Sequence, residues 1–368
     1  MLLSRIRPWM AVTVLCLAYS LFVVAQNGGD PLALVTIGTR FSEGNLEGSE
    51  GYDGQFVYYI ARDPSTAAQY IDVPAYRYQR ILLPALGRLL AFGQESLIPW
   101  TLLLVNLVSL AAGTAFMEQL LVELRASRWY ALSYGLTIGT FGSVRLSLPE
   151  PLAYALVLGG IVLATRERWL WSALLFALAA LAKETALFFV AGYVLYLVFQ
   201  RRWGIAVGFG FITVGPFAVW QWALFEHFGT LGIGSGGAMA TQFEIIPFAG
   251  FVRILTETGI LVFLVLGAII IPFVVVPTLW ALLQSWRGVH KRKWSVHTFL
   301  LFANAIVMPF VPYSTYRELY AILRFIVGLQ IAVILYAAQK PAPRALRYTT
   351  LWIVTVMLVY NLQLQAES

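Results

Sequence analysis

Charge is scarce in this chain. Only 12% of its 368 residues are Asp, Glu, Lys or Arg, about half the share found in a soluble domain. With a mean hydropathy of +0.76, it has too little polar surface for a water-soluble fold. Cysteine is nearly absent: Cys16 stands alone, which excludes an intrachain disulfide and a cysteine metal cluster. The three histidines, His227, His290 and His297, are too scattered for a metal site. There is no His-Glu-x-x-His, no Gly-x-Gly-Asp and no Gly-x-Ser-x-Gly with a matching histidine, which sets intramembrane proteolysis aside. No repeat of fixed period and no low-complexity segment is visible.

What is present is apolar length. A helical span needs about 17–25 apolar residues. Runs bounded by charge, Gly or Pro lie near 9–25, 97–117, 129–143, 150–165, 169–182, 185–200, 204–224, 258–284, 296–312, 319–338 and 348–363. The expected fold is an all-α polytopic membrane protein of about eleven helices, a single transmembrane domain over 1–368.

Cytoplasmic loops are enriched in Lys and Arg. With the N-terminus inside, alternation puts fifteen of the 25 basic residues inside, from Arg5 and Arg7 through Lys291, Arg292 and Lys293 to Arg347, with three of the 18 acids. Merging 169–199 into one span would put "RRW" and "HKRK" outside, so a tight hairpin is expected at "KET". The formal net charge of +7 is thereby a topology signal and calls for no nucleic-acid partner. The first apolar run also reads as a cleaved signal peptide, with Val23 and Ala25 placed for cleavage. Either way residue 26 onward lies outside, and the expected location is a plasma membrane.

The soluble mass falls in two outside loops, 26–96 and 225–257. In the first, "GYDGQFVYYIARDP" holds Asp53 at the start of a short helix that Pro64 ends. Asp53 reads either as an N-cap bonding the amide of Gln55 or Phe56, or as a general base at the membrane–water boundary. The two are not exclusive. In "RYQRILLPALGRLLAFG", Arg77, Arg80 and Arg88 share one helical stripe. That describes a helix lying in the interface, its arginines snorkelling or contacting phosphate.

Further polar residues cluster at outer span ends. Glu150 sits between two prolines, where an acid suits the helix dipole. Lys183 and Glu184 mark a hairpin tip. Arg317, Glu318 and Arg324 begin the tenth span, and a lone arginine as deep as Arg324 is costly without a partner. Asn106 reads as a helix–helix hydrogen bond. "GIGSGG" lacks the Lys-Ser/Thr of a nucleotide loop and reads as a mobile loop over a cleft, followed by a second interfacial helix near 246–257.

Together, "GYDGQFVYYIARDP", "YRYQRILLPALGRLLA", "PEPLAYALVLGG", "LAKETALFF" and "YRELYAILRF" resemble the GT-C superfamily of integral-membrane glycosyltransferases, most of all its bacterial mannosyltransferase-like branch. The likeness runs along nearly the whole chain. It departs at one point. Many members carry adjacent acids or an acid–X–acid pattern, whereas Asp53 stands between Tyr52 and Gly54 and the next acid is Asp63.

The resemblance implies a polyprenyl-phosphate-sugar donor carrying a mannose-like hexose or a pentose, and a lipid, glycan or protein acceptor. Transfer would take place on the extracytoplasmic side with inversion. By it, Asp53 is the base, and Arg324, Arg77, Arg80, Lys183 and Arg317 hold the donor phosphate. Tyr52, Gln55, Phe56, Tyr59, Asp63, Glu150 and Glu184 line the substrate site. The resemblance requires no cofactor and leaves a divalent cation open, which no acid pair here supports. The rival class is a transporter or flippase of lipid-linked saccharide, with paired repeats and helices broken at mid-membrane.

Overall fold

The computed structural model describes residues 6–292 and 294–359. Arg5, Lys293 and the end of the 348–363 run lie outside the described residues. All regular elements among those described are helices.

By length and composition four helical segments are long and apolar enough to cross a membrane: Pro8–Gln26, Glu95–Glu123, Trp203–Phe228 and Ile260–His290. A fifth is counted if Leu319–Phe325 and Val327–Gln339, bent by 44° at their junction, form one span. We label the first of these α1 (Pro8–Gln26). Next come α2 (Gly54–Arg62), α3 (Pro74–Tyr78) and α4 (Leu82–Leu90), and then α5 (Ile98–Glu123). The later helices used below are α6 (Glu150–Thr165), α7 (Trp169–Ala182), α8 (Leu187–Phe199), α9 (Trp203–Phe228), α10 (Leu319–Phe325) and α11 (Val327–Gln339).

Burial sorts these helices. In α11 every residue from Val327 to Ala338 is buried, and over half of the most apolar stretch of α5 is. In α9 only 22% is buried, and Phe211, Val207 and Val219 stand at 79%, 71% and 70% exposure. Water would not tolerate an apolar helix face of this size, whereas lipid does. The molecule thus shows membrane character, with α5, α6 and α11 as its buried centre.

Several expected spans are broken in the structure. The run 129–143 is not one helix. It breaks into Arg128–Ala131, Leu132–Gly135, Ile138–Gly142 and Ser143–Arg145. The physical reason is close packing: a Cβ on Gly139 would lie 2.5 Å from the Leu323 carbonyl oxygen, so α10 presses directly on this backbone. The run from 348 is likewise divided, into Pro343–Thr349 and a 3-10 stretch over Thr350–Leu358. At "KET" the chain does break, since Lys183 is extended (φ −156°, ψ 126°). The two helices it joins diverge rather than pair: α7 packs chiefly on α6 and α9, and α8 chiefly on Val296–Ala305.

Segment 26–96 forms its own smaller apolar core. Phe56, Tyr59 and Ile60 of α2 meet Leu83 of α4 and Leu102 of α5. The stripe expected for Arg77, Arg80 and Arg88 does not exist, because the chain leaves the helix between α3 and α4 at Gln79–Ile81. Arg88 turns away and donates to the carbonyls of Ala61 and Arg62, closing the end of α2.

Candidate functional site

Four carboxylates and four cations converge from five separated stretches of chain. Asp53 stands just ahead of α2. Its side chain caps nothing, so the capping expectation does not hold: its oxygens are drawn to two guanidinium groups instead. Oδ1 accepts from Arg77 Nη1 at 2.8 Å and Oδ2 from Arg324 Nη2 at 3.0 Å. These partners lie 24 and 271 positions away. Gly54 makes the placement possible. A Cβ there would meet the Leu146 carbonyl oxygen at 2.0 Å, so only glycine lets α2 begin this close to the neighbouring chain.

Arg77 is gripped on its other edge by Asp72, with Nε and Nη2 donating to the two oxygens at 2.7 and 2.8 Å. This fork-on-carboxylate geometry is the strongest form of ion pair. The guanidinium also lies 4.2 Å from the centre of the Phe56 ring. Asp72 in turn accepts from the amide of Ala238 at 3.0 Å, which pins the glycine-rich stretch of segment 225–257 over the pair. Arg80 forms a second fork, on Glu184, at 3.0 and 2.6 Å, and donates to Tyr76 Oη at 2.8 Å.

Deeper in, Glu150 at the start of α6 is fully buried. Its Oε1 takes Lys183 Nζ at 2.5 Å and lies 3.7 Å from Arg324 Nη1. Its Oε2 and the Arg324 Nε are buried without partners. Tyr52 and Tyr320 flank Arg324, each ring centre 5.3 Å from it, and the Tyr52 hydroxyl donates to Glu318 at 2.6 Å.

Electrostatics follow from this count. Burial pushes the Asp53 carboxyl up. Arg77, then Arg324 and Arg80, outweigh it and hold the group well below the usual carboxylate range. The Asp72 carboxyl is also lowered: burial raises it, and its bonds from Arg77 overcome that. Burial draws Arg77 down, but Asp53 and Asp72 more than restore it and keep it firmly protonated. Of the eight charged side chains Asp53 is the most open, at 28% exposure against 20% for Glu184.

Of the residues expected at the site, the structure brings together Asp53, Arg77, Arg80, Glu150, Lys183, Glu184 and Arg324, with Tyr52 and Phe56 against them. Others are engaged elsewhere. Gln55 is buried and staples segment 36–51 to α2, accepting from Gly38 and donating to the Glu50 carbonyl. Tyr59 stacks on Tyr70 at 4.9 Å. Asp63 spends both oxygens on Ser65 and Thr66 in the turn after Pro64. Arg317 is exposed, 5.7 Å from the Tyr313 ring. Asn106 bonds the Leu148 carbonyl just before α6, not a neighbouring helix.

Asp72, Tyr76 and Tyr320 were not anticipated. A signal existed for Asp72, an acid before a proline-started helix and five positions ahead of Arg77. Among the described residues no group of His, Cys, Asp or Glu has the arrangement to hold a metal ion. No protein-family model, no curated protein and no solved structure matches the chain.

Proposed function

We propose that the chain is a GT-C-like membrane glycosyltransferase that moves a sugar from a polyprenyl-phosphate donor to an acceptor hydroxyl on the extracytoplasmic side. The carrying observation is Asp53, the most open member of the charge cluster, held between Arg77 and Arg324. The acceptor oxygen attacks C1 of the donor sugar. Its proton passes to the Asp53 carboxylate, the C1–O bond to phosphate breaks, and the phosphate leaves with the bonding pair and inversion at C1. Arg324, Arg77, Arg80 and Lys183 meet the charge that develops on the leaving group.

The ion pairs of Asp53 bear on its role as a base. A carboxylate clamped by two guanidinium groups is a poor proton acceptor. A donor phosphate competes for the same N–H groups and frees Asp53, so basicity rises when the donor arrives. Arg324 has a spare donor for this exchange, its unpartnered Nε. The shorter apolar helices, α6, α7, Glu184–Phe199 and Val296–Phe310, together with the broken runs 128–145 and 343–358, make up the set of spans in this reading.

A second reading, flipping of a lipid-linked saccharide, draws on the 44° break between α10, which carries Arg324, and α11. A transfer assay separates the two. Radiolabelled polyprenyl-phosphate-mannose and polyprenyl-phosphate-glucose are offered with a crude lipid and glycan acceptor mixture to wild type and Asp53→Asn. Transfer by wild type alone, with both proteins folded and binding donor, is the expected result. Equal transfer by both removes Asp53 from the chemistry. Donor binding without transfer by either favours the flippase.

A further inference from the structure

A fifth cation is buried near this site, and no carboxylate answers it. Arg145 ends the short helix Ser143–Arg145 and is 3% exposed. Its Nη1 donates to Thr36 Oγ1 at 2.8 Å, its Nε has no partner, and no carboxylate among the described residues forms a salt bridge with it. The Tyr19 hydroxyl of α1 lies beside the guanidinium and has no other partner. A buried cation costs several kcal/mol unless something neutralises it. The eight charges of the Asp53 cluster are all paired, so this one stands out against its own surroundings.

Although buried, Arg145 reaches an opening. It lines a cleft of about 560 Å³ with the C-terminal end of α1 and segment 27–37, within the range of about 300–1,000 Å³ usual for small-molecule sites. Phe22 on the α1 wall is 51% exposed and continues the apolar outer face of that helix, while Gln26 and Asn27 line the cleft at its polar end. The mouth is thus apolar on one side and polar on the other. Asp30 is the one acid lining it, and its Oδ1 is engaged by the Leu32 amide.

Thr36 marks the spot in a further way. It holds φ at 58°, a left-handed conformation that a β-branched residue rarely adopts. There its Oγ1 accepts from Arg145 while its carbonyl accepts from the Tyr52 amide at 2.9 Å. Tyr52 precedes Asp53, and Leu146, next to Arg145, abuts Gly54. The cleft and the Asp53 cluster therefore share a wall.

We propose that this cleft binds the phosphate of an amphiphile, with Arg145 as its counter-ion and the apolar chain lying along α1. A guanidinium with free N–H groups matches phosphate oxygens, and the half-apolar mouth suits a headgroup at a lipid boundary. The site stands whether or not the neighbouring cluster transfers sugar.

Equilibrium dialysis of the full chain in neutral detergent tests it, with radiolabelled dodecyl phosphate, inorganic phosphate and uncharged dodecanol as probes. Three variants are compared with wild type. Arg145→Gln removes the charge. Ala33→Phe fills the cleft and leaves Arg145 in place, so a folding failure of one variant does not decide the matter. Arg324→Gln perturbs only the neighbouring cluster. The expected result is a saturable dodecyl phosphate component whose Kd rises about tenfold or more in Arg145→Gln and in Ala33→Phe and persists in Arg324→Gln. Loss of inorganic phosphate binding in the same variants identifies the free anion as a second source of the same chemistry. The proposal is overturned if wild type binds neither phosphate, if dodecanol binds as well as dodecyl phosphate, if folded Arg145→Gln and Ala33→Phe bind like wild type, or if Arg324→Gln abolishes the same component.

Discussion

At Asp53 the pairing sets both stability and basicity. Its carboxyl is depressed in the folded chain. The stabilisation it provides is fully present above the ordinary carboxylate range of about 4 and is lost only as pH falls through the lower folded value. The acid limb of kcat/KM, which reports the free enzyme, is therefore expected below that ordinary range. A limb near neutrality in a pH–rate series would assign the base elsewhere. Asp53→Asn removes one anion from two guanidinium groups, which keep Asp72 and Glu150, and is expected to cost about 1–3 kcal/mol, read as a lower unfolding temperature in detergent alongside the lost transfer. Glu150 and Lys183 form a tighter case, because both are buried. Glu150→Gln leaves the buried Lys183 without its anion, while Arg324 keeps Asp53, a loss of about 3–5 kcal/mol. Lys183→Met is milder, since Arg324 still faces Glu150. The double variant is expected to be less destabilised than the sum of the two, which a thermal-unfolding cycle measures.

Among elements, α2 depends on one residue for its position. Gly54→Ala pushes a methyl against the Leu146 carbonyl. Relieving that contact displaces the start of the helix and with it Asp53, at about 1–3 kcal/mol. Loss of donor binding with the fold retained is the expected outcome, and unchanged binding would show that α2 can shift without moving the carboxylate. Pattern reading recovered α2 itself, from Gly54 to the turn at Pro64, since a short apolar stripe with a proline stop leaves little choice. It failed at Arg77, Arg80 and Arg88, where spacings that return to one helical face suggested one helix. The break at Gln79–Ile81 coincides with contacts to α9: the Tyr78 carbonyl accepts from Trp220 Nε1, and the Gln79 side-chain oxygen accepts from Gln221 Nε2. Local periodicity contains no record of partners 142 residues away.

For the whole molecule the open question of sidedness has a direct readout. Cys16 is fully buried and the only thiol of the chain, so single cysteines report without background. Ser235→Cys in segment 225–257 is expected to react with an impermeant maleimide in intact cells, and Gln200→Cys, exposed between α8 and α9, only after permeabilisation. The reverse pattern would invert the proposed topology and place the Asp53 cluster on the cytoplasmic face.

Composition and pattern specified a helical, membrane-like chain and named most of the charges that the fold gathers into one cluster. Asp53, Arg77, Arg80, Glu150, Lys183, Glu184 and Arg324 were legible because an ionised group amid apolar residues carries a solvation cost that demands an explanation. The tertiary structure alone decided who pairs with whom. It brought Asp53 to Arg324 across 271 positions, recruited Asp72 to hold Arg77, sent Asp63 and Gln55 to local structural tasks, and left Arg145 without a carboxylate. A side chain's charge is a property of the residue, whereas its neutralisation is a property of the packing that brings distant segments together.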